Sequence, residues 1–328
     1  MIRLRKFEFH SPTSLQEAKK ILSSNGQTKI LAGGTDLVVG MKQETVQPKN
    51  ILWLGKIHEL QQITFSRKEG LKIGAMCTLS EIEHNTNIQK HFPSIIDAVK
   101  SIASPQIRNH ATIGGNLCLN TRCFYYDQSD FWRNSLGNCL KYGNGICHAA
   151  PELSRCTAVF SSDLAPLLIA LDANVELHSS QSTLKIPLSR LYNDDGKNHV
   201  SLFQSEILSS VSIPFNEKIK SAHGKIRARN STDFAIANVG VELTFSSKNI
   251  CEKANIVIGA ISSSPIIVDT IAQKLIGENV SEKKIEEVAN EISTHVHPMP
   301  NVDGAVNYRK KMVGLLVKRT LSTLVTNL

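Results

Sequence analysis

Apolar residues recur at helical spacing over residues 14–24, where Leu15, Ala18, Ile21 and Leu22 share one face. Ser14 and Glu17 have the separation of a capping box, and Asn25-Gly26 reads as the stop. Short apolar runs at 29–32 and 50–54 predict strands around a short helix at 37–42, a small βαβ-like unit. A hairpin follows (63–65 and 71–75 around Lys68-Glu69-Gly70), then a helix opened by Thr78 and Glu81 and running to His84. Residues 92–103 predict a helix with Ile95, Ile96, Val99 and Ile102 apolar. Further on come a helix at 164–171, strands at 173–177 and 183–186, and a strand at 207–213. From about Ser221, strands at 225–229, 239–245 and 254–261 precede helices near 266–276, 281–292 and 303–325. The last helix carries Val313, Leu316, Val317, Leu321 and Leu324 on one broad face. Strands followed by helices predict a small α+β unit suited to packing and subunit contact. No internal repeat and no low-complexity segment interrupts the pattern.

A chain of 328 residues, 41% hydrophobic, has room for two or three domains with real cores. No apolar run approaches the ~20 residues that span a bilayer. The basic start, from Met1 to Lys6, lacks the apolar region of a signal peptide, so a cytoplasmic protein with no membrane role is expected. The net charge of +8 is spread out without a long basic block, which argues against nucleic acid and fits anionic cofactors or an acidic electron-transfer partner.

Candidate chemistry lies in two glycine-rich turns and in what separates their surroundings. Gly33-Gly34-Thr35-Asp36 follows a predicted strand and precedes a helix, where backbone N–H groups can hold a phosphate. It is neither GxGxxG nor a Walker A loop. Some eighty positions later Thr112-Ile113-Gly114-Gly115-Asn116 repeats the theme, and two such turns can face each other across one extended ligand. Five of the seven cysteines, Cys118, Cys123, Cys139, Cys147 and Cys156, then fall before Ser162-Asp163-Leu164-Ala165-Pro166. Structural zinc favours close Cys pairs at both ends of its site, and only Cys118 with Cys123 comes near that. Wide, irregular spacing suits a [4Fe–4S] cluster on a loop. Spacing alone does not separate Cys118 from Cys123. Cys77 reads as a small buried hydrophobe. The polar loop 193–199 after Tyr192 reads either as a cover over the bound ligand or as a surface loop.

The residues Leu31-Ala32-Gly33-Gly34-Thr35-Asp36-Leu37 with Met41-Lys42, Ala111 to Asn116, and Ser162 to Pro166 occur here in a telling order. With Glu206-Ile207-Leu208, Ile213-Pro214, Lys225 and Asp233-Phe234-Ala235 they resemble the FAD-binding (medium) subunits of molybdenum hydroxylases, over essentially the whole chain. The resemblance implies an α+β fold: a two-part FAD-binding domain, with a small α/β lobe at 1–55 and a larger α+β lobe at 56–220, then a small α+β domain at 221–328. It implies FAD contacts at Ile30, Leu31, Ala32, Gly33, Gly34, Thr35, Asp36, Leu37, Ile102, Thr112, Ile113, Gly114, Gly115, Asn116, Asp163, Leu208 and Lys225. Asp163 would accept from the ribose or adenine side, while Leu208 and Lys225 would lie near the flavin ring.

The departure from ordinary members is the connection between Asn116 and Asp163, far longer here. It looks like the inserted loop of the 4-hydroxybenzoyl-CoA reductase type, at residues 117–160. That likeness implies a [4Fe–4S] cluster on Cys123, Cys139, Cys147 and Cys156, with Cys118 left as a packing residue and His148 as a neighbour able to tune it. It also implies an electron-transfer subunit with no substrate chemistry of its own. Expected partners are a molybdopterin-binding large subunit, a [2Fe–2S] small subunit and a ferredoxin-type donor, in a dimer of heterotrimers. The alternatives are an FAD subunit of a xanthine, aldehyde or CO dehydrogenase-like complex, and a zinc-stabilised nucleotide-binding scaffold.

Overall fold

The computed structural model describes residues 3–24, 26–143, 145–246 and 249–326. Asn25, half of the expected helix stop, lies outside them, as do Met1 and Ile2 of the basic N-terminus. Three sheets organise the chain.

The first is parallel, with Asn50–Trp53 between Glu8–His10 and Thr28–Leu31. Helix Leu15–Ser24 packs Leu15, Ala18 and Leu22 toward this sheet with Leu52, Leu54 and Ile57. Ser14 Oγ accepts from the Glu17 N–H at 3.2 Å and starts the helix as expected. The strand Thr28–Leu31 runs straight into the first glycine turn, and helix Leu37–Lys42 leaves it.

The second sheet is antiparallel, in the order Ile63–Ser66, Gly70–Gly74, Ile207–Ile213, Asn174–His178, Thr183–Pro187. Its inner face meets helix Pro93–Lys100, which is shorter than the predicted 92–103, and helix Ala165–Ala170. The short helix Ile113–Leu117 replaces the expected turn at the second glycine motif. Thr112 is its cap, accepting the Gly115 N–H at 3.1 Å.

The third sheet holds Ile219–Ile226, Ala237–Phe245, Cys251–Gly259 and Ile266–Ile267, covered by helices Glu282–His295 and Val306–Val325. Two predictions shift here. The strand expected at 225–229 occupies Ile219–Ile226, because Asp233 accepts the Arg229 N–H and turns the chain. The helix expected at 266–276 is a two-residue strand followed by Asp269–Ala272 and a 3-10 turn, since Ile266 and Ile267 pair with Ile258 and Val257. No described helix is long and apolar enough to cross a membrane.

Candidate flavin and metal-cluster site

The two glycine turns touch. A Cβ on Gly33 would lie 1.7 Å from the His110 carbonyl oxygen, so the chain entering the second motif passes directly over a position that only glycine fits. Among the described residues, the N–H groups of Gly33, Gly34, Thr35 and Asp36 have no hydrogen-bond partner. Four successive free donors at the end of a strand form a cradle for an anionic ligand such as a pyrophosphate, and the residues therefore fit FAD. The second motif contributes differently. Ile113, Gly114 and Asn116 donate to the carbonyls of Cys77, Ala75 and Thr112, and Gly115 to Thr112 Oγ1, so of the described residues 112–116 only the Thr112 N–H is free.

Asp163 lies in the same region, with its side chain buried, and pairs with the buried Lys225 Nζ at 2.7 Å. Asn238 Nδ2 reaches its other oxygen at 3.3 Å. Burial pushes the Asp163 carboxyl up, and Lys225 opposes that. Lys225 spends its remaining protons on the carbonyls of Ser101 and Asp233, at 3.1 and 3.0 Å. Asp163 does not cap the following helix; Ser162 Oγ does, accepting the Ala165 N–H at 3.2 Å. Ser162 also donates to Asn116 Oδ1 at 2.7 Å, which ties the two ends of the flavin region together across the insert. Ile102 and Leu208 are buried in the core of the second lobe.

The insert leaves and rejoins the lobe through a neck. Arg122 and Val159 exchange both backbone hydrogen bonds, at 2.8 and 2.7 Å. Beyond the neck, Cys123, Cys139, Cys147 and Cys156 line one small cavity together with Tyr125, Tyr126, Lys141, His148 and Thr157. Cys118 lies outside it, packed against the core of the second lobe, where burial pushes its thiol up to about 12. Among the described residues no three His, Cys, Asp or Glu side chains converge closely enough to hold a single metal ion. The four thiols share one cavity wall, a donor set of the soft kind that a cluster or a thiophilic metal would take.

The cavity wall supplies hydrogen bonds to sulfur. Thr157 Oγ1 lies 3.2 Å from Cys147 Sγ, and the Ala158 N–H donates to Cys156 Sγ at 3.4 Å. Burial raises the Cys123 thiol, and the Cys156 thiol to about 11. Burial also opposes ionisation of Cys147, but hydrogen bonds from Thr157 and from the backbone at Ala149 and Ala150 outweigh it and leave that thiol lowered. His148 Nε2 is 2.6 Å from the Asn138 carbonyl, and its ring leans on Tyr125.

Three elements brace this cavity from outside. Arg122 is ion-paired with Asp36 of the first glycine turn and stacks over Phe234, while Tyr126 Oη donates to Thr45 of the first lobe at 3.0 Å. Asn301 donates to the Thr157 carbonyl at 2.9 Å and receives the Phe124 N–H at the same distance. The polar loop 193–199 packs here too: Gly196 donates to the Cys156 carbonyl at 2.8 Å, and Asp195 accepts the Cys156 N–H at 3.2 Å. The loop thus holds the backbone of Cys156.

A family described as the FAD binding domain in molybdopterin dehydrogenase matches residues 5–216, and the CO dehydrogenase flavoprotein C-terminal domain matches 222–324. The chain belongs to this family of FAD-binding oxidoreductase subunits. The xanthine dehydrogenase FAD-binding subunit of Escherichia coli O157:H7 is 25% identical over 319 residues, covering 97% of this chain and 95% of that one. The aldehyde oxidoreductase FAD-binding subunit PaoB of Escherichia coli K12 is 31% identical over 220 residues, 64% of this chain and 69% of the other. A structure of carbon monoxide dehydrogenase from Hydrogenophaga pseudoflava superimposes with a TM-score of 0.80 at 22% identity, covering 99% of both chains, so the fold is shared throughout.

Several residues of this family member's cavity escaped the sequence reading. Lys141 stands two positions after Cys139, a spacing that carries no signal of its own. Thr157 and Asn301 carry none either, since Asn301 arrives from the third domain.

Proposed function

We propose that this chain is the FAD- and [4Fe–4S]-bearing electron-transfer subunit of a molybdenum hydroxylase-type complex of the dehydrogenase kind. One observation carries the reading: the four cysteines of the insert line a single cavity whose neck residue Arg122 pairs with the first glycine motif, while Ser162, just past the neck, bonds to Asn116 of the second. When bound, FAD exchanges one or two electrons at a time, and a cluster passes them singly. The chain's own residues hold and position these groups. Gly33 to Asp36 offer free N–H donors to the pyrophosphate. Asp163 and Lys225 fix the floor between the second lobe and the third sheet. Thr157 and the Ala158 N–H support sulfur. Substrate chemistry belongs to a molybdopterin-binding partner, reached through a [2Fe–2S] partner, as the family resemblance implies. Relatives named xanthine dehydrogenase and aldehyde oxidoreductase support oxidation of a purine or aldehyde-like substrate.

The insert itself favours a second reading, a reductase of the 4-hydroxybenzoyl-CoA type fed by a ferredoxin-type donor. Assay of the purified complex separates the two. Turnover of xanthine or an aldehyde with an artificial acceptor supports the first, and turnover of 4-hydroxybenzoyl-CoA with a low-potential donor supports the second. Flavin bands with iron and acid-labile sulfide in anaerobically purified protein support both. Zinc without flavin overturns both. Cys139→Ser should lose the iron and keep FAD, whereas Cys118→Ser should keep both.

A further inference from the structure

Each arginine around the cysteine cavity has its own carboxylate: Arg122 has Asp36, Arg133 has Asp130, and Arg155 has Asp194. Lys141 is different. It lines the cavity between Cys139 and Tyr126, and no carboxylate lies at ion-pair distance from it among the described residues. Its ammonium donates to Asn120 Oδ1 at 2.9 Å, to the Thr121 carbonyl at 2.8 Å and to Thr121 Oγ1, and it stands 4.9 Å above the centre of the Tyr126 ring. All of these partners are neutral. Three hydrogen bonds fix the charge in place, and the carboxylate of Asp127, which accepts the Cys123 N–H, acts on it through space without bonding to it.

A buried cation with no carboxylate bonded to it is costly unless a further anion arrives beside it. Four thiolates around iron make an anionic centre, and each electron added makes it more so. We propose that Lys141 is the built-in counter-charge of the cysteine centre, stabilising its reduced form and raising its reduction potential. This inference rests on the cluster reading above and adds to it a tuning residue that touches no flavin. Lys141 is a positioning and electrostatic residue rather than a metal ligand, because an ammonium has no lone pair to give. The one-electron step it biases is balanced by the external reductant that supplies the electron.

The test is a redox titration of anaerobically purified protein followed by electron paramagnetic resonance, with iron, sulfide and FAD content measured on the same samples. Lys141→Met should retain FAD and iron but shift the midpoint to more negative potential. A tenfold or larger change in the redox equilibrium is expected, ~59 mV for one electron. Lys141→Arg should restore most of the wild-type value. Should Lys141→Met fail to fold or to load iron, Asn120→Asp serves instead. It keeps the lysine and sets a carboxylate against it, so the same negative shift is expected. Iron-loaded variants with an unchanged midpoint overturn the inference and leave the cluster reading standing. Wild-type protein without iron and sulfide overturns both.

Discussion

Arg122, the residue before Cys123, is ion-paired with Asp36 in the first glycine turn. One side chain therefore connects the segment that carries the cysteines to the segment whose successive backbone N–H groups are free. Both partners are partly exposed, which limits the strength of the pair. Arg122→Met is expected to cost about 1 kcal/mol, or roughly fivefold in FAD affinity, with iron content unchanged. Titration of flavin into the deflavinated variant measures it, and an unaltered affinity would show that the pair does not support the cradle.

The Asp163–Lys225 pair is buried on both sides. Removing one partner strands a charge, so Lys225→Met should destabilise the protein by about 3–5 kcal/mol. The double variant Asp163→Asn/Lys225→Met should recover a large part of that loss. A double-mutant cycle in urea reads the coupling directly. Additive losses would mean that the two charges do not depend on each other.

Gly196 sits where a Cβ would come within 2.7 Å of both the Ala158 N and O. Gly196→Ala must push the polar loop off the backbone beside Cys156, at a cost of about 1–3 kcal/mol. Iron should be lost faster on exposure to a chelator, while FAD stays bound. Equal chelation rates in the two proteins would separate the loop from support of the cysteines.

His223 faces Ser101 from the third sheet, with Nδ1 buried and unpartnered. Burial, and then the nearby Lys225, hold its imidazole down to about 3, against an ordinary 6.5. The unfolded chain therefore binds this proton first. Stability that depends on neutral His223 is fully present above pH 6.5 and is lost progressively as pH falls toward 3. His223→Gln should flatten the urea midpoint over that window and change it little at pH 7.5. A variant with the same pH slope as wild type would assign the acid sensitivity to other groups.

What could be read from the chain follows from how local each cause is. The first glycine turn was legible because strand, glycines and helix succeed one another within ten positions. The second was legible as a motif but not as the start of a helix whose N–H groups bond to Ala75 and Cys77, on another segment. The strand Ile219–Ile226 was placed late in the chain because His223 and Lys225 point inward, against the usual alternation. Helix spacing at 266–276 was real, yet β-sheet pairing of Ile266 and Ile267 overrode it. The loop 193–199 shows the limit most plainly, since its partners Cys156 and Ala158 lie some forty positions away.

The neck formed by Arg122 and Val159 has a consequence for how such proteins change over time. Because the chain closes hydrogen bonds on itself there, the segment beyond it leaves and rejoins the lobe at one place, and among the described residues it adds no strand to the three main sheets. Lengthening or trimming that one connection can therefore add or remove the cysteine-lined cavity while the registers of the sheets stay as they were. A new cavity becomes a matter of loop evolution, available to a flavoprotein lineage without rebuilding its fold.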